Sequence, residues 1–363
     1  MRAGEENHPM KLVRALSVFG FGLVGLVGVT ATAFSAGGCS SSDSSTGGGG
    51  STGQPPSKPE GAAVANPADT RTFAVSQLFL GDTDRNGTTD PSAWKKFGYN
   101  IDGLTTAKTS TDVCTRQGGA TADKQEDGDD GRDDGFHTVM TFINGIVPKA
   151  SSTISKSIAD DGAFTIIFDL KGLNDDAHQT ATGLSGNLLI GADLAKKPDF
   201  GPSLDWPYHA DPTVAISDAY INNGTFVNGT GGSTVKLSIA VQGQNLTLNI
   251  NHAIITFDHS SPDELTNGTI AGVLATEELV TGITNIASSL TDQLCSGSML
   301  ETVLQTIRQA SDILQDGSNH AGIPCDGIAI GLGFNAHRIG PPKTVAPPST
   351  STPQDKCKAD GGT

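Results

Sequence analysis

Basic residues are scarce in this chain of 363 residues, which carries 23 Lys and Arg against 39 Asp and Glu and a formal net charge of −16 at pH 7. Such a charge repels the phosphate backbone of nucleic acids, and no basic cluster in the sequence offsets it. It also disfavours direct docking on anionic lipid head groups. The composition therefore predicts no nucleic-acid partner, and it agrees with either a bound metal cation or a solvated acidic surface.

Familiar catalytic motifs are missing as well. The sequence contains no Walker loop, no His-Glu-x-x-His and no Gly-x-Ser-x-Gly. The run from Gly331 to Ala336 fits the dinucleotide fingerprint in its letters, but that motif must open a helix, and a proline-rich segment follows here. The sequence therefore favours a non-catalytic protein but does not exclude an enzyme.

A long run without charge extends from Ala15 to Phe34, and it follows the basic residues of the first 14 positions. A basic start, an apolar middle and a small-residue exit are typical of a secretory signal. The run ends in Ala36-Gly37-Gly38-Cys39, which resembles the lipobox of bacterial lipoproteins. Cleavage after Ala33 and an uncleaved membrane anchor remain alternatives.

The lipobox resemblance implies that Cys39 is acylated, with chains such as palmitate, and becomes the mature N-terminus. The exported chain would then be attached to the lipid bilayer through Cys39. Ser40 follows the cysteine where an aspartate would signal retention in the inner membrane. The resemblance therefore implies the outer membrane, with the body facing the periplasm or the cell surface.

The domain organisation follows from composition. Residues 1–38 form the predicted signal peptide, and residues 39–70 comprise the acylated cysteine and a Ser/Gly/Pro-rich linker that cannot bury a core. Residues 71–339 are predicted to form a single domain, since no internal boundary or repeat is visible. Residues 340–363 form a Pro/Ser/Thr-rich tail that contains Cys357.

Four cysteines remain besides Cys39, and no two have the Cys-x-x-Cys spacing of zinc or redox sites. An even number in an oxidising compartment predicts two disulfide bonds, with three alternative pairings. We favour Cys295 with Cys325, which bracket a predicted helix. Cys114 would then pair with Cys357 and staple the tail to the body.

The predicted fold class is α+β: a mostly antiparallel β-sheet or sandwich packed with three helices and stapled by disulfides. The clearest element is a hairpin over residues 234–258 with a bulge near Ala253. Further strands are predicted at residues 73–80, 94–101, 163–170, 184–194, 213–221 and 327–334. Helices are predicted from Phe136, over residues 279–294, and from a capping box at Ser298 to Asp316.

A metal site is predicted in the loop that follows the first strand, because its spacing resembles the calcium loops of EF-hand and dockerin proteins. The resemblance implies calcium as the cofactor. A missing ligand could come from Asp102 or from the acid-rich residues 123–134, whose carboxylates would repel one another without a cation. The alternative is an ordinary Asp/Asn/Gly turn. The predicted ligands are Asp82, Asp84, Asn86, Thr88 and Asp90.

A second candidate site is the segment of residues 205–211, which gathers carboxylates, an imidazole and two aromatic rings in a chain with only 5% aromatic residues. Carboxylate and imidazole are suited to acid–base chemistry, and the rings to stacking on a sugar or an apolar ligand. The alternative is a surface loop whose tryptophan lies in the core. The candidate residues are Asp205, Trp206, Tyr208, His209 and Asp211.

Three functions stay open on the sequence alone. The first is a non-catalytic binding or structural module of the cell envelope whose partner is a glycan, an envelope component or a protein. The second is an exported hydrolase that uses the 205–211 segment. The third is a carrier of an apolar ligand held between sheet and helices, which a filled core would exclude.

Overall fold

A computed structural model describes residues 53–146, 149–229, 234–241, 244–290, 294–295, 297–347 and 357. The predicted signal peptide, Cys39 and the predicted linker as far as residue 52 lie outside these residues. The described strands are β1 (Thr70–Phe79), β2 (Thr165–Lys171), β3 (Ala181–Gly191), β4 (Tyr208–Asn222), β5 (Thr225–Val227), β6 (Val235–Val241), β7 (Gln244–Ser261), β8 (Glu264–Ala275) and β9 (Gly327–Ile339). The described helices are α1 (Phe136–Ile146), α2 (Ala150–Lys156), α3 (Thr276–Leu290) and α4 (Ser298–Gln309). None of these helices is long and apolar enough to cross a membrane.

The strands form an antiparallel sheet in the order β5-β4-β3-β2-β1-β9-β8-β7 that closes on itself through β5 and β7 into an 8-stranded barrel. β5 pairs with residues 256–258 of β7, and β6 pairs with residues 244–250 of the same strand. β5 and β6 therefore pair with successive parts of β7, and together they take the place of one strand in the barrel wall. The predicted sandwich with three helices is wrong, because closure makes one continuous sheet and the segment from Phe136 forms two helices, α1 and α2.

Phenylalanine side chains fill the barrel interior. Phe226 stacks on Phe257 with ring centroids 4.5 Å apart, and Phe168 stacks on Phe334 at 5.2 Å. All four are fully buried, and they share one core with apolar side chains of the four helices. The rings occupy space that an apolar ligand would need, which argues against the carrier alternative.

Several elements agree with their sequence patterns. The hairpin of β6 and β7 is confirmed, and the register between β7 and β8 shifts between Asn251 and Ile254, where the bulge was predicted. His252, which is in phase with the inward residues of β7, is turned outward at this bulge with φ 52°. The bulge therefore reverses the face that simple alternation would give.

Other local predictions are wrong. The residues predicted as a strand at 94–101 form a short 3₁₀ turn, Ala93–Lys96, followed by a loop. Helix α4 ends at Gln309 rather than near Asp316, and its N-cap is Gly297, which makes no side-chain capping bond. The predicted capping box at Ser298 is therefore not formed, because Ser298 is already the first helical residue.

Glycines on the outer face of β9 allow a loop to lie directly against the sheet. A Cβ atom added to Gly331 would come within 2.5 Å of the backbone nitrogen of Gly98, and one added to Gly333 would overlap the ring of Phe97. The loop that follows the short turn at Ala93–Lys96 is thus held directly on the barrel wall. This contact places the turn beside helix α1.

Two disulfides are present, but with a different pairing from the one that we favoured. Cys114 bonds to Cys325, and Cys295 bonds to Cys357. Cys114 and Cys325 are both buried, beside Leu314. Sequence separation did not reveal this pairing because the barrel brings segments 211 residues apart next to each other.

Candidate functional site

One candidate site is a groove of about 360 Å³ between helix α1 and the loop that follows β1. We call it the Trp94 groove. Four of its residues lie on α1 at positions i, i+3, i+4 and i+7, which form one face of a helix. The residues that line the groove are Gly81, Asp82, Thr89, Pro91, Trp94, His137, Met140, Thr141, Asn144 and Lys149.

Two stacked rings form the apolar part of the groove. The rings of Trp94 and His137 are 3.8 Å apart between centroids and inclined by only 7°. The ammonium group of Lys95 lies 5.5 Å from the centroid of the Trp94 ring, within the range of a cation–π contact. Trp94 is half-buried, whereas Trp206, the other tryptophan of the chain, is fully buried.

The imidazole of His137 is held neutral. Its Nδ1–H donates to the carbonyl oxygen of Asp134 at 2.5 Å, and the hydroxyl of Thr138 lies 3.4 Å from Nε2. Burial lowers the pKa of His137 because the charged form would lose its hydration. His137 is therefore an oriented, uncharged ring that supports Trp94.

The loop predicted to bind calcium forms the other wall of the groove. The Asp84 carboxylate accepts hydrogen bonds from the backbone N–H groups of Asn86 (2.9 Å) and Thr88 (2.8 Å). These bonds shape the tip of the loop as an Asx turn. The side chains of Asn86 and Thr88 are exposed.

The first and last carboxylates of the loop, Asp82 and Asp90, fix its two ends through hydrogen bonds. Asp90 accepts hydrogen bonds from the N–H and the hydroxyl of Ser92, at 2.9 and 2.7 Å, and thereby fixes the turn that carries Trp94. Asp82 accepts hydrogen bonds from the N–H and the hydroxyl of Ser151 at the start of α2. These three carboxylates are thus directed at backbone and hydroxyl donors rather than at a common centre. Calcium binding at this loop stays a prediction.

The predicted supplementary acids do come together. The Asp133 carboxylate accepts hydrogen bonds from the N–H groups of Ile101 (2.6 Å) and Asp102 (3.3 Å), and the Asp127 carboxylate accepts one from the N–H of Thr106. Burial, and to a lesser degree the charge of the nearby Asp102 carboxylate, raise the pKa of Asp127 to about 7. Burial also raises the pKa of Asp133, as do the charges of Asp102 and Asp127.

Two more buried carboxylates accept hydrogen bonds from the half of β9 that has no neighbouring strand on one side. β1 pairs with β9 only from Gly333 onward. Beyond that point, Asp312 accepts a hydrogen bond from the N–H of Ala329 (2.9 Å) and Asp134 accepts one from the N–H of Gly331 (3.2 Å). Burial raises the pKa of both carboxyl groups. Across the described residues, no three His, Cys, Asp or Glu side chains are grouped as ligands of a metal ion.

The residues of the 205–211 segment have separate environments in the structure. Trp206 is fully buried and its Nε1–H donates to the carbonyl oxygen of Ala192 at 2.8 Å. Asp205 accepts hydrogen bonds from the N–H groups of Lys343 and Thr344, and so fastens the segment that follows β9. Within the described ranges, His209 and Asp211 make no hydrogen bond to Asp205. Tyr208 and His209 are half-buried on β4, and Asp211 is exposed.

The Trp94 groove was missed in the sequence because its walls are more than 40 residues apart. A signal was present: an isolated tryptophan in a chain poor in aromatic residues, and polar residues at helical spacing on α1 (His137, Thr141 and Asn144). Comparison of the chain with protein-family models, with curated proteins and with solved structures gave no match.

Proposed function

We propose that this chain is an exported, membrane-anchored binding module of the cell envelope, and that it binds a saccharide in the Trp94 groove. The observation that carries the proposal is the stacked pair of Trp94 and His137 within a groove of about 360 Å³. A flat aromatic surface packs well against the C–H face of a sugar ring, and polar groups around it can bond to the hydroxyl groups.

The polar groups around this surface suit such a ligand. Thr141 and Thr89 are exposed, and Asn144 is half-buried with its Oδ1 accepting a hydrogen bond from the N–H of Ala150 at 3.1 Å. That bond leaves the Asn144 amide nitrogen free to donate to a ligand. A volume near the lower end of the range for small-molecule sites fits one or a few sugar rings.

The groove favours binding over hydrolysis. Hydrolysis of a glycosidic bond needs two carboxyl groups on either side of the bond. Among the described residues, Asp82 is the one carboxylate that lines the groove, and this carboxylate already accepts two hydrogen bonds from Ser151. His137 donates its Nδ1–H to the backbone and has a single hydroxyl near Nε2, so the ring does not replace the missing pair of carboxyl groups.

The experiment is a titration of the full chain, purified in detergent, with a panel of soluble oligosaccharides, followed by tryptophan fluorescence. Because Trp206 is buried in the core, a change on binding reports on Trp94. We expect binding to weaken about tenfold in Trp94→Ala, through loss of the stacking surface.

Thr141→Phe provides a second variant, because Thr141 is exposed and a larger side chain there would fill the groove without entering the core. The matched control is His209→Ala, which changes the segment that the sequence had favoured. Saccharide binding that survives in both groove variants, as measured by calorimetry, would contradict the proposal. So would the absence of binding to every member of the panel.

A further inference from the structure

We infer that the saccharide bound in the Trp94 groove is anionic, with its acidic group placed against the ammonium group of Lys149; this inference rests on the proposed function. Lys149 lines the groove and is exposed. In the described part of the chain its ammonium group has no ion pair or hydrogen bond. An unpaired cation at the rim of a groove attracts an acidic group of the ligand.

The backbone of Lys149 supports this assignment. Lys149 is the N-cap of α2 and has φ 58° and ψ 51°, in the left-handed region that is strained for residues with a Cβ atom. Strained residues of this kind are concentrated at ligand sites. Glycine would adopt the same conformation without strain, and the N-cap side chain makes no capping bond here. Helix formation therefore does not explain why a lysine occupies this position.

Among the described residues that line the groove, Lys149 is the cation and Asp82 is the carboxylate. The Asp82 carboxylate accepts two hydrogen bonds from Ser151, and the His137 ring is neutral. Lys95 adds a second cation beside Trp94. Asp123 and Lys124, which are also near His137, are paired with each other at 3.6 Å. The whole chain carries a net charge of −16, so attraction of an anion cannot come from its overall charge.

The test compares four oligosaccharides by calorimetry on the full chain: tetragalacturonate, its methyl ester, phosphorylated maltotetraose and maltotetraose. We expect at least one acidic ligand to bind about fivefold more tightly than its neutral counterpart, as for a partly exposed ion pair. The two acidic ligands distinguish a carboxylate from a phosphate. The preference should decrease as salt is added.

Lys149→Gly should abolish the preference while keeping the fold, since glycine suits the left-handed conformation. Lys149→Arg should keep the preference. The matched control is Lys171→Met, which removes an exposed lysine at the opposite end of β1, where Lys171 pairs with Thr70.

Equal binding of acidic and neutral ligands, or a preference that persists in Lys149→Gly, would overturn the inference. If binding in that case still depended on Trp94, the proposed function would stand. Failure of all four ligands and of the wider panel to bind would instead overturn the proposed function.

Discussion

Replacing Asp127 with Asn should make the protein more stable at neutral and alkaline pH, and should change little in mild acid. The pKa of Asp127 is raised from 3.8 to about 7 in the folded state, chiefly by burial and then by Asp102. The folded protein therefore holds a proton here more tightly than the unfolded chain does. The free energy of unfolding contributed by Asp127 is highest below pH 3.8 and falls as the pH rises toward 7.

The size of the effect follows from this rise in pKa. A rise of about three units corresponds to about 4 kcal/mol of lost stability once the pH is above 7. Asp127 is only half-buried, and solvent screens its charge, so we expect about half of this value, or about 2 kcal/mol. Asn removes the charge, keeps an oxygen that can accept from the N–H of Thr106, and can donate to Asp133.

The assay is urea-induced unfolding of wild type and Asp127→Asn at about pH 4.5 and about pH 8, with the disulfides intact. The lower limit avoids the acid range in which carboxyl groups with a lowered pKa, such as Asp205 and Asp175, lose their bonds. Asp129→Asn is the matched control because Asp129 is exposed in the same segment. A stability difference between wild type and Asp127→Asn that is the same at both pH values would refute the reasoning.

Three further predictions follow from the structure and the sequence. Gly331→Ala should lower the free energy of unfolding in urea by about 1–3 kcal/mol, because its Cβ would meet the backbone of Gly98; Gly118→Ala, with open space around it, is the control. We expect the melting temperature to rise from excess EDTA to ~10 mM calcium and the rise to be lost in Asp82→Ala; equal melting temperatures would contradict calcium binding by this loop, whose carboxylates already accept hydrogen bonds. Cells that express the wild type should incorporate a fatty-acid probe into the protein, whereas Cys39→Ala should not, and an unlabelled wild type would exclude the lipid anchor.

Local patterns in the sequence were reliable where short-range physics decides the structure. The alternation of Leu246, Leu248 and Ile250 with polar residues predicted a strand with one buried face, and its change of phase predicted the bulge near Ala253. A surface loop with Trp206 in the core was one of the two alternatives for the 205–211 segment, and Trp206 is buried because a large ring is stabilised by removal from water.

Closure of the barrel could not be predicted in this way. It depends on three residue pairs between β5 and β7, which lie more than 25 residues apart in the chain. Alternation defines the two faces of each strand, but it is the same for an open sheet, a sandwich and a barrel. The disulfide pairing was equally hidden, because Cys114 and Cys325 are 211 residues apart in the chain and meet only in the tertiary structure.

The sequence by itself determined the charge, the position of most strands and helices, the number of disulfides and the resemblance to an exported lipoprotein. Only the tertiary structure decided which polar residues share a site. It placed Trp94 against His137 and Asp127 against Asp133, whereas it turned Asp82, Asp84 and Asp90 toward backbone or hydroxyl donors. The physical reason is that a carboxylate binds whichever donors the fold brings near it, and spacing along the chain does not specify those donors.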